Sequence, residues 1–124
     1  MGKFVVKTVK TGFMFNLKAG NGEIIATSEV YTSEAACMSG IESVRKNAPI
    51  ANLEDQTVAA PAAAANPKFE VYTNKAGEFR FRLKARNGEI IAASEGYTAK
   101  ASCLNGVESV RKNAADAQVE KLDA

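Results

Sequence analysis

The amino-acid sequence predicts an α+β protein built from two similar copies of one unit, each with three strands, a helix and a short fourth strand. Three observations lead to this fold class. The chain repeats itself with a period of about 66 residues over nearly its whole length. Each copy contains an Asn-Gly pair between runs of alternating apolar residues, which is the strongest short-range signal of a β-hairpin. Each copy then continues into a segment whose apolar residues recur three and four positions apart, as in a helix that buries one face.

The hairpin is the most strongly predicted element of each copy. Its two versions are FNLKAGNGEIIA, residues 15–26, and FRLKARNGEIIA, residues 81–92. We expect a two-residue turn, because Asn and Gly best tolerate the positive φ angles that such a turn requires at both positions. That turn predicts the following facing pairs: Ala19–Ile24, Leu17–Ala26 and Phe15–Ser28 in the first copy, and Ala85–Ile90, Leu83–Ala92 and Phe81–Ser94 in the second.

Alternation, capping and proline predict the remaining elements. The predicted strands are Lys3–Lys10, Phe13–Ala19 and Glu23–Tyr31 in the first copy, and Lys68–Asn74, Phe79–Ala85 and Glu89–Tyr97 in the second. The first helix begins after an N-cap hydroxyl at Thr32 or Ser33 and ends at Pro49, and the second spans Thr98 or Ala99 to Ala114. Short fourth strands are predicted at Ala51–Thr57 and Ala117–Leu122.

These elements divide the chain into a first repeat over residues 1–57, an extended Ala/Pro linker over 58–66 and a second repeat over 67–124. One copy of about 50 residues is only marginally stable and leaves an edge strand open to pairing. We therefore expect one structural unit related by a pseudo-twofold axis, with one continuous antiparallel sheet and two helices on one face. Gly40 and Gly106 lie mid-helix on the apolar stripe, which predicts that each helix backbone approaches the sheet or a neighbouring element closely.

Three motifs recur in both copies and resemble those of the YegP-like family of small uncharacterised bacterial proteins. The matching segments are Phe13–Ala26, Ser28–Thr32 and Gly40–Ala48, and then Phe79–Ala92, Ser94–Thr98 and Gly106–Ala114. The resemblance implies βββαβ units that share one antiparallel sheet and exchange their C-terminal strands. Those strands would be the short ones at Ala51–Thr57 and Ala117–Leu122. Because the family has no established activity, the resemblance implies a fold but no catalytic residues.

Composition limits the possible functions. The formal net charge of +2 is too small to imply a polyanionic partner, and the chain contains no His, the commonest general acid/base and metal ligand. Two Cys without a secretory segment predict a reducing compartment, the cytoplasm. No apolar run approaches the roughly 20 residues of a membrane helix. We therefore expect a cytoplasmic protein with no cofactor, no metal and no membrane partner.

No pattern of residues predicts catalysis. Cys37 and Cys103 each lie on an apolar helix stripe, which predicts buried and inert thiols rather than a redox or metal site. The candidate nucleophiles Ser28, Ser43, Ser94 and Ser109 lack both a Gly-x-Ser-x-Gly elbow and a His to activate them. The candidate carboxylates Glu23, Glu29, Glu89 and Glu95 lie on or beside strands, with no indication of a cleft. We expect that the protein is not an enzyme.

A basic stripe on the second hairpin is the one candidate site with named residues: Arg80, Arg82, Lys84 and Arg86. Alternate residues of a strand project from one side, so these cations could follow a phosphate backbone. The predicted register places Glu89 opposite Arg86 and Glu95 opposite Arg80, which neutralises half of the stripe, and Tyr72 is the one aromatic residue expected on that side. The sequence thus predicts an internally paired monomer, a non-enzymatic structural or interaction module with an unknown protein partner. The alternative is weak, sequence-independent binding of nucleic acid through the stripe.

Overall fold

The strands of both copies join in one sheet of eight strands in the computed structural model, which describes residues 2–59 and 63–122. The first copy contributes β1 (Lys3–Val9), β2 (Gly12–Lys18), β3 (Ile24–Thr27) and β4 (Asn52–Asp55), and the second β5 (Lys68–Thr73), β6 (Phe79–Lys84), β7 (Ile90–Ala93) and β8 (Gln118–Leu122). The helices are α1 (Glu34–Asn47) and α2 (Lys100–Ala114). Part of the predicted linker, residues 60–62, lies outside the described residues, and the division into 1–57, 58–66 and 67–124 stays a prediction.

The fourth strand of each copy lies in the half of the sheet that the other copy forms. The strand order is β4-β5-β6-β7-β3-β2-β1-β8, so β4 lies beside β5 and β8 beside β1. This arrangement confirms the predicted exchange of C-terminal strands. The two exchanged strands pair in parallel, whereas the six central strands are antiparallel, so the sheet is mixed. Hairpin turns impose antiparallel pairing, but neither parallel pair is joined by a hairpin, because residues 56–67 separate β4 from β5 and most of the chain separates β1 from β8.

The hairpin turn differs from the predicted two-residue turn. Positive φ occurs at Gly22 (86°) but not at Asn21, and the backbone N–H of Ala19 donates to the carbonyl oxygen of Glu23 at 2.9 Å. The loop therefore has three residues and ends in a G1 bulge. Asn21 keeps a negative φ because its side-chain Oδ1 accepts a hydrogen bond from the N–H of Glu23 at 3.0 Å.

The bulge shifts the register by one residue at the turn end of both hairpins. Leu17 pairs with Ala26 and Leu83 with Ala92, as predicted. The predicted pairs Ala19–Ile24 and Ala85–Ile90 are wrong, because Lys18 and Lys84 pair with the two isoleucines. Farther from the turn, the predicted neighbours Phe15–Ser28 and Phe81–Ser94 are confirmed by backbone hydrogen bonds of 2.9 Å.

The hydrophobic core lies between the sheet and the two helices, which pack on the same side of it. Within the core, Phe4 contacts Phe15 edge-to-face, and Phe69 contacts Phe81 in the same way. Helix α1 packs on β2 of its own copy and β7 of the other, while α2 packs on β6 and β3. Each helix therefore bridges both copies, which explains why the two repeats form a single unit.

Two tyrosines explain the glycine in the middle of each helix. A Cβ atom at Gly106 would lie 2.7 Å from Oη of Tyr97 and 2.9 Å from Cε2 of Phe81. Tyr31 approaches Gly40 in the same way in the first copy. The predicted close approach is thus confirmed, and the neighbour of each helix backbone is the tyrosine that follows the third strand.

The first helix is capped more completely than the second. The Oγ of Ser33 accepts a hydrogen bond from the N–H of Ala36 at 3.1 Å, and a short 3-10 turn that contains Pro49 follows the helix. Helix α2 begins after Ala99, which provides no side-chain cap. The predicted cap and proline stop of α1 are therefore confirmed.

Candidate functional site

The side of the sheet that faces away from the helices, which we name the outer face, carries ten charged side chains within its strands. Within the strands it carries the side chains Lys3, Lys7, Lys18, Lys68, Arg80, Arg82, Lys84, Glu54, Glu70 and Glu120. One row of paired residues crosses all eight strands in the order Glu54, Glu70, Arg82, Ala93, Thr27, Asn16, Val5 and Glu120. The two halves of the outer face therefore differ, because Glu70 and Arg82 occupy the positions that Val5 and Asn16 hold in the first copy.

Glu70 is the centre of the second-copy half. Its side chain is 4% exposed and contacts three cations: Nε of Arg82 at 2.6 Å, Nζ of Lys84 at 3.2 Å and Nζ of Lys68 at 3.3 Å. Burial alone raises the pKa of the Glu70 carboxyl, but hydrogen bonds from Arg82, Lys84 and Lys68 outweigh it, so the pKa lies below its usual value. The cluster is thus an ionised carboxylate that holds three cations in place.

Glu54 extends this cluster to the edge of the sheet. Its Oε1 lies 2.8 Å from Nζ of Lys68 and accepts a second hydrogen bond from the backbone N–H of Ala64 at 2.8 Å. Its other oxygen accepts a hydrogen bond from the side chain of Gln56. Hydrogen bonds from Lys68, Gln56 and Ala64 lower the pKa of Glu54 to about 2. One carboxylate therefore connects the exchanged strand β4 both to β5 and to Ala64 of the predicted linker.

The predicted ion partners at the two ends of the basic stripe are wrong. Arg80 donates from Nε and Nη2 to the carbonyl oxygen of Ser94, at 3.1 and 2.6 Å, rather than pairing with Glu95. Arg86 lies in the exposed turn after β6, and no ion pair joins it to Glu89 among the described residues. The bulge accounts for the second case, because Glu89 pairs with Ala85 instead.

The middle of the stripe is also neutralised, although the sequence predicted that Arg82 and Lys84 had no carboxylate opposite. Both cations contact Glu70, which lies on β5, the neighbour of β6 on the side away from β7. The guanidinium of Arg82 also stacks over the ring of Tyr72, 4.5 Å from its centroid. Arg80, Arg82, Lys84 and Tyr72 thus share the outer face as predicted, with Tyr72 already occupied by a cation.

The first-copy half of the outer face is less charged. Val5 and Asn16 are only 1% and 4% exposed there, and Met14 lies beside them, half-buried. Asn16 donates from Nδ2 to Oγ1 of Thr27 at 3.0 Å, while its Oδ1 is buried with no hydrogen-bond partner among the described residues. A buried acceptor without a partner is costly, and this Oδ1 atom is shielded from solvent.

The candidate thiols and serines have structural environments. Cys37 and Cys103 are free and fully buried, as predicted, and burial raises the pKa of both thiols, that of Cys103 to about 11. The Oγ atoms of Ser28 and Ser94 each accept a backbone hydrogen bond at 2.9 Å and donate one to the next residue's carbonyl. Each serine therefore completes the irregular pairing at the end of a hairpin.

Two of the remaining polar candidates, Glu23 and Ser109, line a small cavity between the first hairpin turn and α2. This cavity has a volume of about 190 Å³, and Glu23, Tyr97, Asn105 and Ser109 are among its lining residues. The carboxylates Glu23, Glu29, Glu89 and Glu95 are all exposed. Within residues 2–59 and 63–122, no three His, Cys, Asp or Glu side chains come together as a possible metal site. No helix in the described part of the chain is both long and apolar enough to cross a membrane.

Comparison with known proteins identifies relatives over the whole chain. The model of a domain of unknown function, DUF1508, matches twice, at residues 10–55 and 74–120. A UPF0339 protein of Mannheimia succiniciproducens is 42% identical over 123 residues, which are 98% of this chain and 96% of that protein. A UPF0339 protein of Treponema denticola is 65% identical over 55 residues, 44% of this chain and 95% of that protein.

A solved structure supports the same relationship. The solution NMR structure of yegP from E. coli, a protein of unknown function, has a TM-score of 0.79 and 36% sequence identity to this chain. The match covers 97% of this chain and 91% of that one. These matches confirm the YegP-like resemblance of the motifs, and the chain belongs to the DUF1508 family of domains of unknown function.

Proposed function

We propose that this protein is a non-enzymatic interaction module and that the outer face is its binding surface. The observation that carries the proposal is that both helices pack on one side of the sheet and leave eight strands uncovered on the other. Eight strands about 4.8 Å apart span roughly 35 Å, and five-residue strands are roughly 17 Å long. This surface is comparable with the roughly 800 Å² that one partner contributes to a stable protein interface.

The chemistry of the outer face favours a protein partner with an acidic surface. Arg82 is held by Glu70 and Tyr72, so less side-chain entropy is lost when it meets a carboxylate of a partner. The first-copy half adds the half-buried side chain of Met14, which suits an apolar group of the partner. Within its strands the outer face carries the seven cations and three carboxylates named above, and a partner with an acidic surface would complement this excess of positive charge.

The other candidate residues support the same proposal. The two thiols are fully buried, and the two hairpin serines are hydrogen-bonded to the backbone, so none of these groups is an activated nucleophile. Two reduced, buried cysteines also fit a reducing compartment, so we place the module in the cytoplasm. The strand exchange within one chain fits a monomer.

Site-specific photocrosslinking in cells tests the interaction proposal. A photoreactive phenylalanine analogue at Met14 places the probe on the outer face, and the same analogue at Lys46 on α1 is the matched control. We expect a discrete crosslinked protein from position 14 that is absent from position 46 and is lost with Lys7→Glu and Lys18→Glu in the same chain. Crosslinks that are equal at both positions, or absent from position 14, would contradict the proposal.

Weak binding of nucleic acid is the second candidate, favoured by the alignment of Arg80, Arg82 and Lys84 on one side of β6. Glu70 reduces the charge of this stripe, and the Tyr72 ring is covered by Arg82, so contacts would be to phosphates rather than to bases. The candidate therefore predicts sequence-independent and strongly salt-dependent binding.

Titration with single- and double-stranded DNA and RNA at about 50 mM salt, where phosphate contacts are strong, tests this candidate. The variant Lys84→Gln with Arg86→Gln removes two cations but keeps Lys68 and Arg82 in contact with Glu70. It should bind nucleic acid more weakly, and the slope of the logarithm of its binding constant against the logarithm of the salt concentration should be smaller by roughly one to two. Lys46→Gln with Lys112→Gln removes two helix cations as the control. No binding by the unaltered chain at this salt concentration excludes the candidate.

A further inference from the structure

Each exchanged strand docks in a place that we name its seat, formed by the first strand and the helix start of the repeat that receives it. The seat of β4 consists of β5 and the start of α2, and the seat of β8 consists of β1 and the start of α1. The two seats are equivalent by the repeat. Their ion pairs can therefore be compared position by position.

One ion pair in each seat has the same polarity in both copies. On the outer face, Glu54 of β4 lies 2.8 Å from Lys68, and Glu120 of β8 lies 2.8 Å from Lys3. In both seats the carboxylate belongs to the docked strand and the ammonium group to the receiving strand. These pairs stabilise docking, but they would accept either strand in either seat.

The second ion pair in each seat has opposite polarity in the two copies. In the seat of β4, Oδ2 of Asp55 lies 2.5 Å from Nζ of Lys100 at the start of α2. In the seat of β8, Nζ of Lys121 lies 2.7 Å from Oε1 of Glu34 at the start of α1. The strand residue is thus acidic in one seat and basic in the other, and the helix residue is reversed to match.

We propose that these two reversed ion pairs form a charge code that makes each repeat accept the strand of the unlike repeat. If a repeat took back its own strand, Asp55 would meet Glu34, and Lys121 would meet Lys100. The same like-charge contacts arise when two chains pair first repeat with first repeat and second with second. The code therefore disfavours dimers in which like repeats exchange strands between two chains, whereas closure of the unlike repeats within one chain satisfies both ion pairs.

A charge-uniform variant tests the code without changing net charge or the number of ion pairs. Glu34→Lys with Lys121→Asp gives both seats a basic helix residue and an acidic strand residue, so either strand fits either seat. Asp55→Lys with Lys100→Asp produces the opposite uniform variant. The matched control carries all four substitutions, which restores the code with its polarity reversed.

Each full-length protein is unfolded in urea and refolded at low salt and high protein concentration, and its mass is measured by size-exclusion chromatography with light scattering. Because exposed ion pairs contribute modestly to the free energy of strand docking, we expect each uniform variant to form about three- to tenfold more dimer than the unaltered chain. The fourfold variant should match the unaltered chain, and about 1 M salt should remove the difference. Equal dimer fractions in uniform and unaltered chains, or excess dimer in the fourfold variant, would overturn the proposal.

Discussion

At the scale of single residues, the carboxyl group of Glu54 makes the stability of the fold depend on pH in the acidic range. Its pKa is about 2 in the folded chain, chiefly because Lys68 donates a hydrogen bond to it, against an ordinary value of 4.5. Because the folded pKa lies below the unfolded one, this stabilisation is present above pH 4.5 and is lost as the pH falls towards about 2.

We therefore predict that Glu54→Gln lowers the free energy of unfolding at pH 7 and that the difference from the unaltered chain shrinks between pH 4.5 and pH 2.5. Urea denaturation across this range measures the effect. Glu23→Gln, which removes an exposed carboxylate from the hairpin turn, is the control and should change little. A deficit that persists undiminished at pH 2.5 would show that the ion pair with Lys68 is not its source.

The helix glycines give a second prediction at this scale. Alanine favours a helix by about 1 kcal/mol over glycine. A Cβ at Gly106 would nevertheless lie within 2.9 Å of both Tyr97 and Phe81, closer than side chains normally approach. We expect Gly106→Ala to lower the free energy of unfolding by about 1–3 kcal/mol, the usual effect of overpacking a core.

Urea denaturation with Asn105→Ala as the control separates packing from helix propensity. Asn105 is exposed and next to Gly106 on α2, so this change gains propensity and removes no core contact. It should be neutral or stabilising. If Gly106→Ala proved as stable as the control, the tyrosine contact would not explain the glycine.

At the scale of elements, the hairpin depends on a single backbone conformation. Gly22 has a φ of 86°, and a Cβ there would have no atom within 4 Å, so any cost of substitution comes from the backbone alone. We predict that Gly22→Ala lowers the free energy of unfolding by about 1–2 kcal/mol. Gly20→Ala in the same turn should be neutral, because Gly20 does not have a positive φ. Thermal or urea unfolding distinguishes the two, and equal costs would contradict a G1 bulge.

The same hairpin marks the limit of prediction from sequence. Alternation around Leu17 and Leu83 predicted the strands and their facing pairs correctly, because burial of one side of a sheet selects the register strongly. The Asn-Gly pair suits both a two-residue turn and a bulged three-residue turn, so the pairs nearest the turn were predicted wrongly. The φ angles of Asn21 and Gly22 and the hydrogen bonds that Glu23 makes with Ala19 and Asn21 distinguish the two turns.

The sequence predicted only part of the candidate site, because residue spacing does not specify every side-chain contact. Alternation placed Arg80, Arg82 and Lys84 on one side of β6, but the predicted ion partners came from β7 alone. Glu70 belongs to β5, the neighbour on the other side of β6, and its contact with Lys84 is diagonal rather than directly opposite. Such a contact depends on side-chain conformation, which the spacing of residues does not specify.

At the scale of the whole molecule, the exchanged strands hold the two repeats together without the linker. Strand β8 pairs with β1 from Lys3–Gln118 to Lys7–Leu122, and β4 pairs with β5 from Asn52–Lys68 to Asp55–Val71. We predict that a protease site inserted between residues 58 and 66, once cut, leaves both fragments in one complex. Size-exclusion chromatography before and after cleavage measures this, and separation into two stable monomers would contradict the exchange.

The pairing of Lys3 with Gln118 also has a consequence for biosynthesis. A nascent chain emerges from the ribosome with β1 first, and the strand that completes its edge is made only after the whole second hairpin and α2. Until then β1 presents an unpaired edge, the kind of surface that promotes aggregation or recruits a chaperone. Translation speed through the second repeat therefore sets how long the first repeat remains exposed in this state.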